Sequence, residues 1–265
     1  MNSINFFGLK LSIIQLDLLK REIYYAIKTN KKKVIFGYSL GSIRILKKYP
    51  IMLYFGWEKA DIMIVDGRGL YLLGKILGFP FKDDISIPQL SNIILEMANQ
   101  HSFSVKLLGA TKENNIKAVE NIQRKYKNIR VLNGINGFFK EEEEQEIVNE
   151  INKHEPDILF VGISSPKKEE FINRWKDKLD VKIILLCGGV IDILAGDKIQ
   201  TPLWLKKIGG ASFFRFIQEP KRLYKYFFPF IFFLIFSFLP AIIINVIIKR
   251  RKDFSIPNFY KIPNY

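Results

Sequence analysis

The chain has 265 residues, of which 48% are apolar, and its formal net charge at neutral pH is +15. This length is enough for one large or two small domains with real cores. Nucleic acid and anionic membranes both attract so basic a surface, but no zinc-finger or RNP sequence accompanies the charge, so we expect no nucleic-acid partner. The single cysteine, Cys187, excludes an internal disulfide and fits a reducing compartment. Its apolar surroundings predict a buried, inert thiol, and with only two histidines we expect no Cys/His metal site.

Short apolar strands alternate with helical patterns along most of the chain. The first hundred residues predict strands over 33–37 and 62–65 and helices over 40–48, 68–77 and 88–101. The alternation continues with strands over 105–110, 129–132, 157–161 and 182–187 and helices over 113–126, 141–153 and 167–178. This order is typical of βαβ units. We therefore predict an α/β fold, with one or two Rossmann-like parallel sheets flanked by helices and a C-terminal helical, membrane-associating appendage.

We place domain boundaries where the pattern changes. Residues 1–102 form an N-terminal α/β half and residues 103–200 a Rossmann-like half, although the two halves could share one sheet. Residues 201–226 are a basic C-terminal appendage, and residues 227–265 are a hydrophobic membrane segment with a basic tail.

The apolar run at 226–248, YFFPFIFFLIFSFLPAIIINVII, carries no charge and has basic clusters on both sides. A helix needs about 20 residues to cross the hydrocarbon core of a bilayer. A buried core helix is the alternative. Since the N-terminus lacks a signal-peptide pattern, we expect the body at the cytoplasmic face, anchored through 227–248 and in contact with anionic lipids. A single span and a hairpin bent near Pro240 both stay open.

Ligands of parallel α/β sheets bind at the carboxyl ends of the strands, where loops meet helix N-termini. Glycines in such loops allow backbone N–H groups to approach a phosphate. The second half of the chain therefore favours a nucleotide-type ligand. No Walker A or G-x-G-x-x-G sequence occurs, which argues against a P-loop ATPase and against an NAD or FAD enzyme. The candidate loops are 37–39, 66–69, 109–111, 134–139, 162–166 and 188–192.

Asp66 ends an apolar strand and is followed by Gly-Arg-Gly. A carboxylate at such a loop mouth can accept a proton from a sugar hydroxyl. The alternative is that Asp66 caps the N-terminus of the helix predicted over 68–77.

Five motifs carry a resemblance to a known family. They are ADIMIVDGRG at 60–69, DILFVGISSPKKE at 157–169, CGGVIDILAG at 187–196, TPLW at 201–204 and RFIQEPKR at 215–222. In order and spacing, over roughly residues 5–226, the chain resembles the WecG/TagA/CpsF glycosyltransferases.

The resemblance implies inverting, metal-independent transfer of a hexose or N-acetylhexosamine(-uronate) from a UDP-sugar to a polyprenyl-diphosphate-linked sugar in capsule, exopolysaccharide or teichoic-acid-like synthesis. It implies that Asp66 is the base, that the segment with Arg215, Glu219 and Arg222 closes over the active site and reaches the membrane, and that no cofactor is needed beyond the donor. Without a metal, the charge of the departing UDP needs cationic side chains, so we expect Arg215 and Arg222 to meet a substrate diphosphate. Simple attraction of these residues to anionic lipid is the alternative. Residues 1–102 then form the acceptor side and 103–200 the nucleotide-sugar side. The implied substrate-binding residues are Gly67, Gly109, Ala110, Gly137, Phe138, Gly162, Ser165, Pro166, Lys168, Glu169, Gly188, Gly189, Asp192 and Glu219.

Three positions depart from the family pattern. Lys168 stands where the family usually has Gln, the segment 36–39 lacks a Thr-Asn pair, and 87–89 reads Ile-Pro-Gln in place of G-x-D. A different acceptor sugar explains these changes. A non-catalytic, membrane-tethered nucleotide-sugar-binding partner of a polysaccharide assembly complex is the alternative, and a homo-oligomer is left open. A nicotinamide oxidoreductase is disfavoured by the missing glycine fingerprint.

Overall fold

A computed structural model describes residues 2–46, 48–207 and 209–252, except for the side chains of residues 203, 212, 222 and 226. Six strands form one parallel sheet in the order β4-β3-β8-β7-β5-β6, and β1 and β2 form a separate antiparallel hairpin. The strands are β1 Ser3–Phe6, β2 Leu9–Ser12, β3 Lys33–Tyr38, β4 Ile62–Val65, β5 Ser104–Gly109, β6 Arg130–Val131, β7 Ile158–Gly162 and β8 Ile183–Leu186.

Helices cover both faces of the sheet. The α-helices are α1 Leu16–Lys28, α2 Leu40–Ile45, α3 Ile51–Tyr54, α4 Arg68–Ile76, α5 Ile87–His101, α6 Lys112–Lys125, α7 Glu144–Asn152, α8 Lys167–Trp175, α9 Val190–Leu194, α10 Leu203–Lys207, α11 Ala211–Gln218, α12 Pro220–Phe233 and α13 Leu239–Ile242. Short 3₁₀ turns cover Glu141–Glu143 and Lys176–Lys178, and π-helical turns cover Phe55–Lys59, Leu234–Phe238 and Ile243–Ile248.

The predicted α/β fold is confirmed, and both halves of the chain contribute to a single sheet because β3 pairs with β8. The central strands are apolar on both faces, as in β7, where Ile158, Leu159, Phe160 and Val161 are buried. Alternate residues of each strand enter two core clusters, one on each face of the sheet. The division into an acceptor half and a donor half stays a prediction.

The chain leaves the sheet in opposite directions after two neighbouring strands. After β3 it enters α2, whose Ile43 packs in the core on one face. After β8 it enters α9, whose Val190 and Ile191 pack in the core on the other face. Such a switch point opens a crevice outside the carboxyl ends of the two strands, which is where ligands bind in open α/β sheets.

The C-terminal helix is long and apolar enough over Leu223–Ile248 to cross a membrane. It continues without a break from Pro220 to Ile248, through Pro229 and Pro240. The hairpin near Pro240 is therefore wrong for this structure, because π-helical turns before and after that proline keep the helix continuous.

One face of this helix packs on the body and the other is exposed. Phe238 and Ile242 are buried in the same core cluster as β3 and β8 residues. Phe236 is 72% exposed and Ile247 is 64% exposed. One face of the helix is therefore buried, as the core-helix alternative predicted. The other face is apolar and exposed, and its contact with a membrane stays a prediction.

Phe236 and Phe238 offer a matched test of the two faces. We expect Phe236→Asp to weaken binding to anionic vesicles with little effect on thermal unfolding, because the side chain contributes little to the core. Phe238→Asp should destabilise the fold by about 3 kcal/mol or more, since it removes a buried ring and buries a carboxylate. Vesicle flotation and thermal unfolding measure both effects. Unchanged flotation of Phe236→Asp would contradict membrane contact through this face.

Candidate active site

A cavity of about 490 Å³ occupies the crevice at the carboxyl ends of β3, β4 and β8. Gly37 and Ser39 line it from β3 and the following cap, Asp66 from the end of β4, and Gly188 and Gly189 from the turn after β8. Helices α11 and α12 complete the wall. The structure thus joins loops that are far apart in the sequence around one space.

Asp66 lies at this cavity and is only partly exposed. Its Oδ1 accepts a hydrogen bond from the backbone N–H of Ile87, the first residue of α5, at 2.9 Å. The residue that caps α4 is Gly67, so the alternative role of Asp66 as the cap of that helix is not what the structure shows. The Asp66 carboxylate is instead held at the N-terminus of α5 through Oδ1, and its other oxygen, Oδ2, takes no part in this hydrogen bond.

Burial raises the pKa of Asp66 above its ordinary value of 3.8. The Ile87 N–H and the charges of Arg215, Lys168 and Lys206 act in the opposite direction, in that order of size. Because desolvation outweighs these contacts, the carboxylate is a stronger base than an exposed aspartate. The site combines a base of raised proton affinity with three nearby cations.

The three cations reach the cavity from different elements. Lys168 lies in α8, and its Nζ is 3.7 Å from Glu169 Oε1. Lys206 of α10 donates to Ser86 Oγ at 2.9 Å. Arg215 of α11 lies so close to Gly189 that a Cβ at that glycine would be 2.6 Å from Nη2. The absence of a side chain at Gly189 therefore leaves room for the Arg215 guanidinium beside the turn after β8.

Ser165 and Glu169 form a polar contact at the start of α8. Ser165 Oγ donates to Glu169 Oε1 at 2.7 Å, and Ser165 follows β7 in a cis peptide bond with Pro166. Glu169 is fully buried, which raises its pKa, and its Oε2 has no hydrogen-bond partner among the described residues. Ser165 and Lys168 line the cavity, whereas Glu169 supports them from behind.

Asp192 and Glu219 share one lysine. Lys198 Nζ is 2.6 Å from Asp192 Oδ2 and 3.1 Å from Glu219 Oε1. This bridge ties α9 to the junction of α11 and α12, which is the segment that carries Arg215. The structure therefore gives both carboxylates a role in holding the appendage, and their predicted substrate contact stays a prediction.

Gly109 and Gly162, the last residues of β5 and β7, and Gly137, in the loop after β6, are not among the residues that line the cavity. A Cβ at Gly109, whose φ is +146°, would lie 2.5 Å from the carbonyl of Gly162, and one at Gly137 would lie 3.0 Å from Gly109 Cα. A Cβ at Gly162 would lie 2.5 Å from Ile191 Cδ1. Close packing, against backbone at Gly109 and Gly137 and against a side chain at Gly162, therefore explains these three glycines without a ligand. Ala110 adjoins them with a φ of +58°, and Phe138 is 78% exposed.

Some predicted residues line the cavity and others do not. Gly67, Gly188, Gly189, Lys168, Arg215 and Glu219 meet there with Asp66 and Ser165. Arg222 lies in α12, but its side chain is outside the described part of the chain. Sequence reasoning missed Ser86, Lys198 and Lys206. The two lysines had one signal, a basic position in or just before the appendage, and Ser86 had only its place just before a predicted helix.

Cys187 also lies at the cavity and is buried, as predicted. Burial raises the pKa of its thiol to about 12. A thiol with this pKa stays protonated at neutral pH and is a poor nucleophile.

A model of the Glycosyl transferase WecG/TagA/CpsF family matches residues 4–243. The chain belongs to this family. The resemblance seen in the five motifs is thereby confirmed, and the match extends into the C-terminal apolar helix.

Curated proteins are similar to part of the chain. An N-acetylglucosaminyldiphosphoundecaprenol N-acetyl-beta-D-mannosaminyltransferase of Bacillus spizizenii strain W23 is 24% identical over 165 residues, which are 62% of this chain and 63% of the relative. A protein of the same name from Staphylococcus aureus strain MRSA252 is 29% identical over 166 residues, 63% of this chain and 65% of the relative. The matched region spans less than two thirds of these relatives, and the substrates in their names are theirs.

Proposed function

We propose that this chain is an inverting glycosyltransferase that moves an N-acetylhexosamine from a UDP-sugar to a polyprenyl-diphosphate-linked sugar. The observation that supports it most directly is the position of Asp66 in the same cavity as Lys168, Lys206 and Arg215. The names of the relatives make N-acetylmannosamine the first sugar to test and undecaprenyl-diphosphate-linked N-acetylglucosamine the first acceptor.

In the proposed step, Asp66 accepts the proton of an acceptor hydroxyl as its oxygen attacks the anomeric carbon of the donor sugar. A new C–O bond forms, the bond from that carbon to the diphosphate breaks, and UDP leaves with the electron pair. Attack from the side opposite UDP inverts the anomeric configuration. A base within hydrogen-bond reach contributes about 10²- to 10⁴-fold to the rate of such a step.

The departing diphosphate develops negative charge, which fixed cations and helix N-termini stabilise. Arg215 lies against the turn after β8, where the backbone N–H of Gly189 precedes α9. Lys206 and Lys168 add positive charge within the electrostatic reach of Asp66. We propose that these groups neutralise the leaving group in place of a metal ion, so that transfer needs no cofactor.

The exposed face of the C-terminal helix and the lipid-linked acceptor of the relatives support membrane association. We propose that the body works at the cytoplasmic face, where UDP-sugars are made, and that anionic lipids hold the basic appendage. Lys221 and Lys225 lie on the exposed first turns of α12.

A screen of UDP-sugars against polyprenyl-diphosphate-linked N-acetylglucosamine in the presence of EDTA tests the proposal. We expect transfer of one N-acetylhexosamine with inverted configuration at its anomeric carbon, measured by mass spectrometry and NMR of the product. Retention of configuration would contradict a single displacement assisted by Asp66. Tight UDP-sugar binding without transfer to any acceptor would favour the non-catalytic binding partner.

A further inference from the structure

The cavity that holds Asp66 has an apolar wall that the proposed transfer step does not use. Phe230 and Leu234 of the C-terminal helix line it, together with Leu40 of α2 and Met52 of α3. A sugar and a diphosphate are polar and gain little from hydrocarbon contacts. The wall therefore points to a ligand with an apolar part next to its diphosphate.

The residues that face the body recur every fourth position along the C-terminal helix. Phe230 and Leu234 line the cavity, and Phe238 and Ile242 are buried in the core. In an α-helix of 3.6 residues per turn, residues four apart drift slowly around the axis. The π-helical turn at Leu234–Phe238, with its longer i→i+5 repeat, reduces this drift. A nearly straight apolar stripe thus connects the core with the cavity.

The apolar wall reaches the base through α2. Helix α12 packs against α2, and a Cβ at Gly69 would lie 2.9 Å from Leu40 Cδ1. Gly69 lies in the first turn of α4, directly after the Asp66-Gly67 loop. The hydrocarbon surface therefore begins beside the carboxylate and continues onto a helix whose outer face is exposed and apolar, as at Phe232 and Phe236.

We propose that Leu40, Met52, Phe230 and Leu234 form a subsite for the first isoprene units of a polyprenyl-diphosphate-linked acceptor. This subsite rests on the proposed function, because it needs an acceptor whose diphosphate meets the cavity cations. The occupant follows from continuity: the acceptor sugar meets Asp66, its diphosphate meets Arg215 or Lys206, and its hydrocarbon leaves along α12 toward the exposed apolar face.

Two acceptor analogues test the subsite without requiring turnover. Both are N-acetylglucosamine diphosphate esters, one with a farnesyl chain and one with a methyl group, and calorimetry measures their binding to the full chain below the micelle-forming concentration. We expect the farnesyl ester to bind about tenfold more tightly or better, the gain from burying roughly two methylene groups. Equal affinities, or no binding of either ester, would overturn the subsite.

Two variants locate the effect on the helix. Leu234→Asn should remove most of the farnesyl advantage and leave the affinity for the methyl ester unchanged, which also shows that the variant is folded. Ile247→Asn, exposed near the far end of the same helix and remote from the cavity, should leave both affinities unchanged. An undiminished farnesyl advantage in Leu234→Asn would contradict the assignment. Absence of transfer in the UDP-sugar screen would overturn the proposed function. It would not change the measured difference in affinity between the farnesyl and methyl esters, because that measurement needs no transfer.

Discussion

Replacing Asp66 with asparagine should lower glycosyl transfer by about 10²- to 10⁴-fold and leave the fold intact. The amide oxygen of asparagine can still accept the hydrogen bond from the Ile87 N–H, so the start of α5 keeps its partner. Asparagine has no basic oxygen to take the acceptor proton. We expect UDP binding to be retained, measured by calorimetry beside a radiolabelled transfer assay.

Asp61 provides the matched control at the opposite end of the same strand. It precedes β4, accepts from the Val34 N–H at 2.7 Å and pairs with Lys176 at 3.2 Å. Asp61→Asn should lower stability modestly and leave transfer near the wild-type rate, because this end of the sheet is remote from the cavity. Wild-type transfer by Asp66→Asn would remove Asp66 from the mechanism.

The raised pKa of Asp66 also predicts two dependences on pH. Transfer should fall as pH decreases through this pKa, at a higher pH than an ordinary aspartate with a pKa of 3.8 would give. An acid whose pKa is higher in the folded state binds its proton more tightly there, so ionisation at rising pH costs stability. Asp66→Asn should therefore be more stable than the wild type near neutral pH, with the difference vanishing below about pH 3.8. Chemical unfolding at several pH values measures it.

Gly109→Ala should lower the free energy of unfolding by about 3 kcal/mol or more. The new Cβ would lie 2.5 Å from the carbonyl of Gly162, and two backbones cannot separate without breaking the pairing of β5 with β7. The φ of +146° adds strain for any residue with a side chain. Urea unfolding in a mild detergent measures the change.

Gly196→Ala separates strain from crowding. Gly196 has a φ of +80°, but nothing lies within 4 Å of the position of its Cβ. We expect a loss of only about 1–2 kcal/mol, which is the ordinary cost of the left-handed region. If Gly109→Ala and Gly196→Ala lowered the free energy of unfolding equally, the close contact with Gly162 would not be the reason that position 109 requires glycine.

The local pattern of the chain was sufficient for the main strands and for the position of the base. The apolar stretch at 62–65 is β4 as predicted, and Asp66 follows it at the rim of the crevice. These features depend on hydrophobic periodicity and on residues next to each other in sequence. The same local reasoning did not predict the hairpin of β1 and β2, whose strands have only four residues each. It also missed helix α1, although the buried Leu19, Ile23 and Ile27 recur there at helical spacing.

The composition of the glycine-rich loops did not reveal their different roles. Gly188 and Gly189 line the cavity, whereas Gly109 and Gly137 pack against neighbouring backbone and Gly162 packs against the Ile191 side chain. A glycine after a strand fits both situations, because each requires the absence of a side chain. Only the position of neighbouring strands and of Arg215 distinguishes them.

By itself, the sequence determined the alternation of strands and helices, the aspartate after β4 and the apolar C-terminal helix, because each is written in contiguous residues. Tertiary structure alone decided that β8 lies beside β3, and so that Asp66, Gly189 and Arg215 share one cavity. It also decided which face of the C-terminal helix packs on the body. Strand order and helix contacts depend on how distant segments bury apolar surface together, which no local pattern specifies.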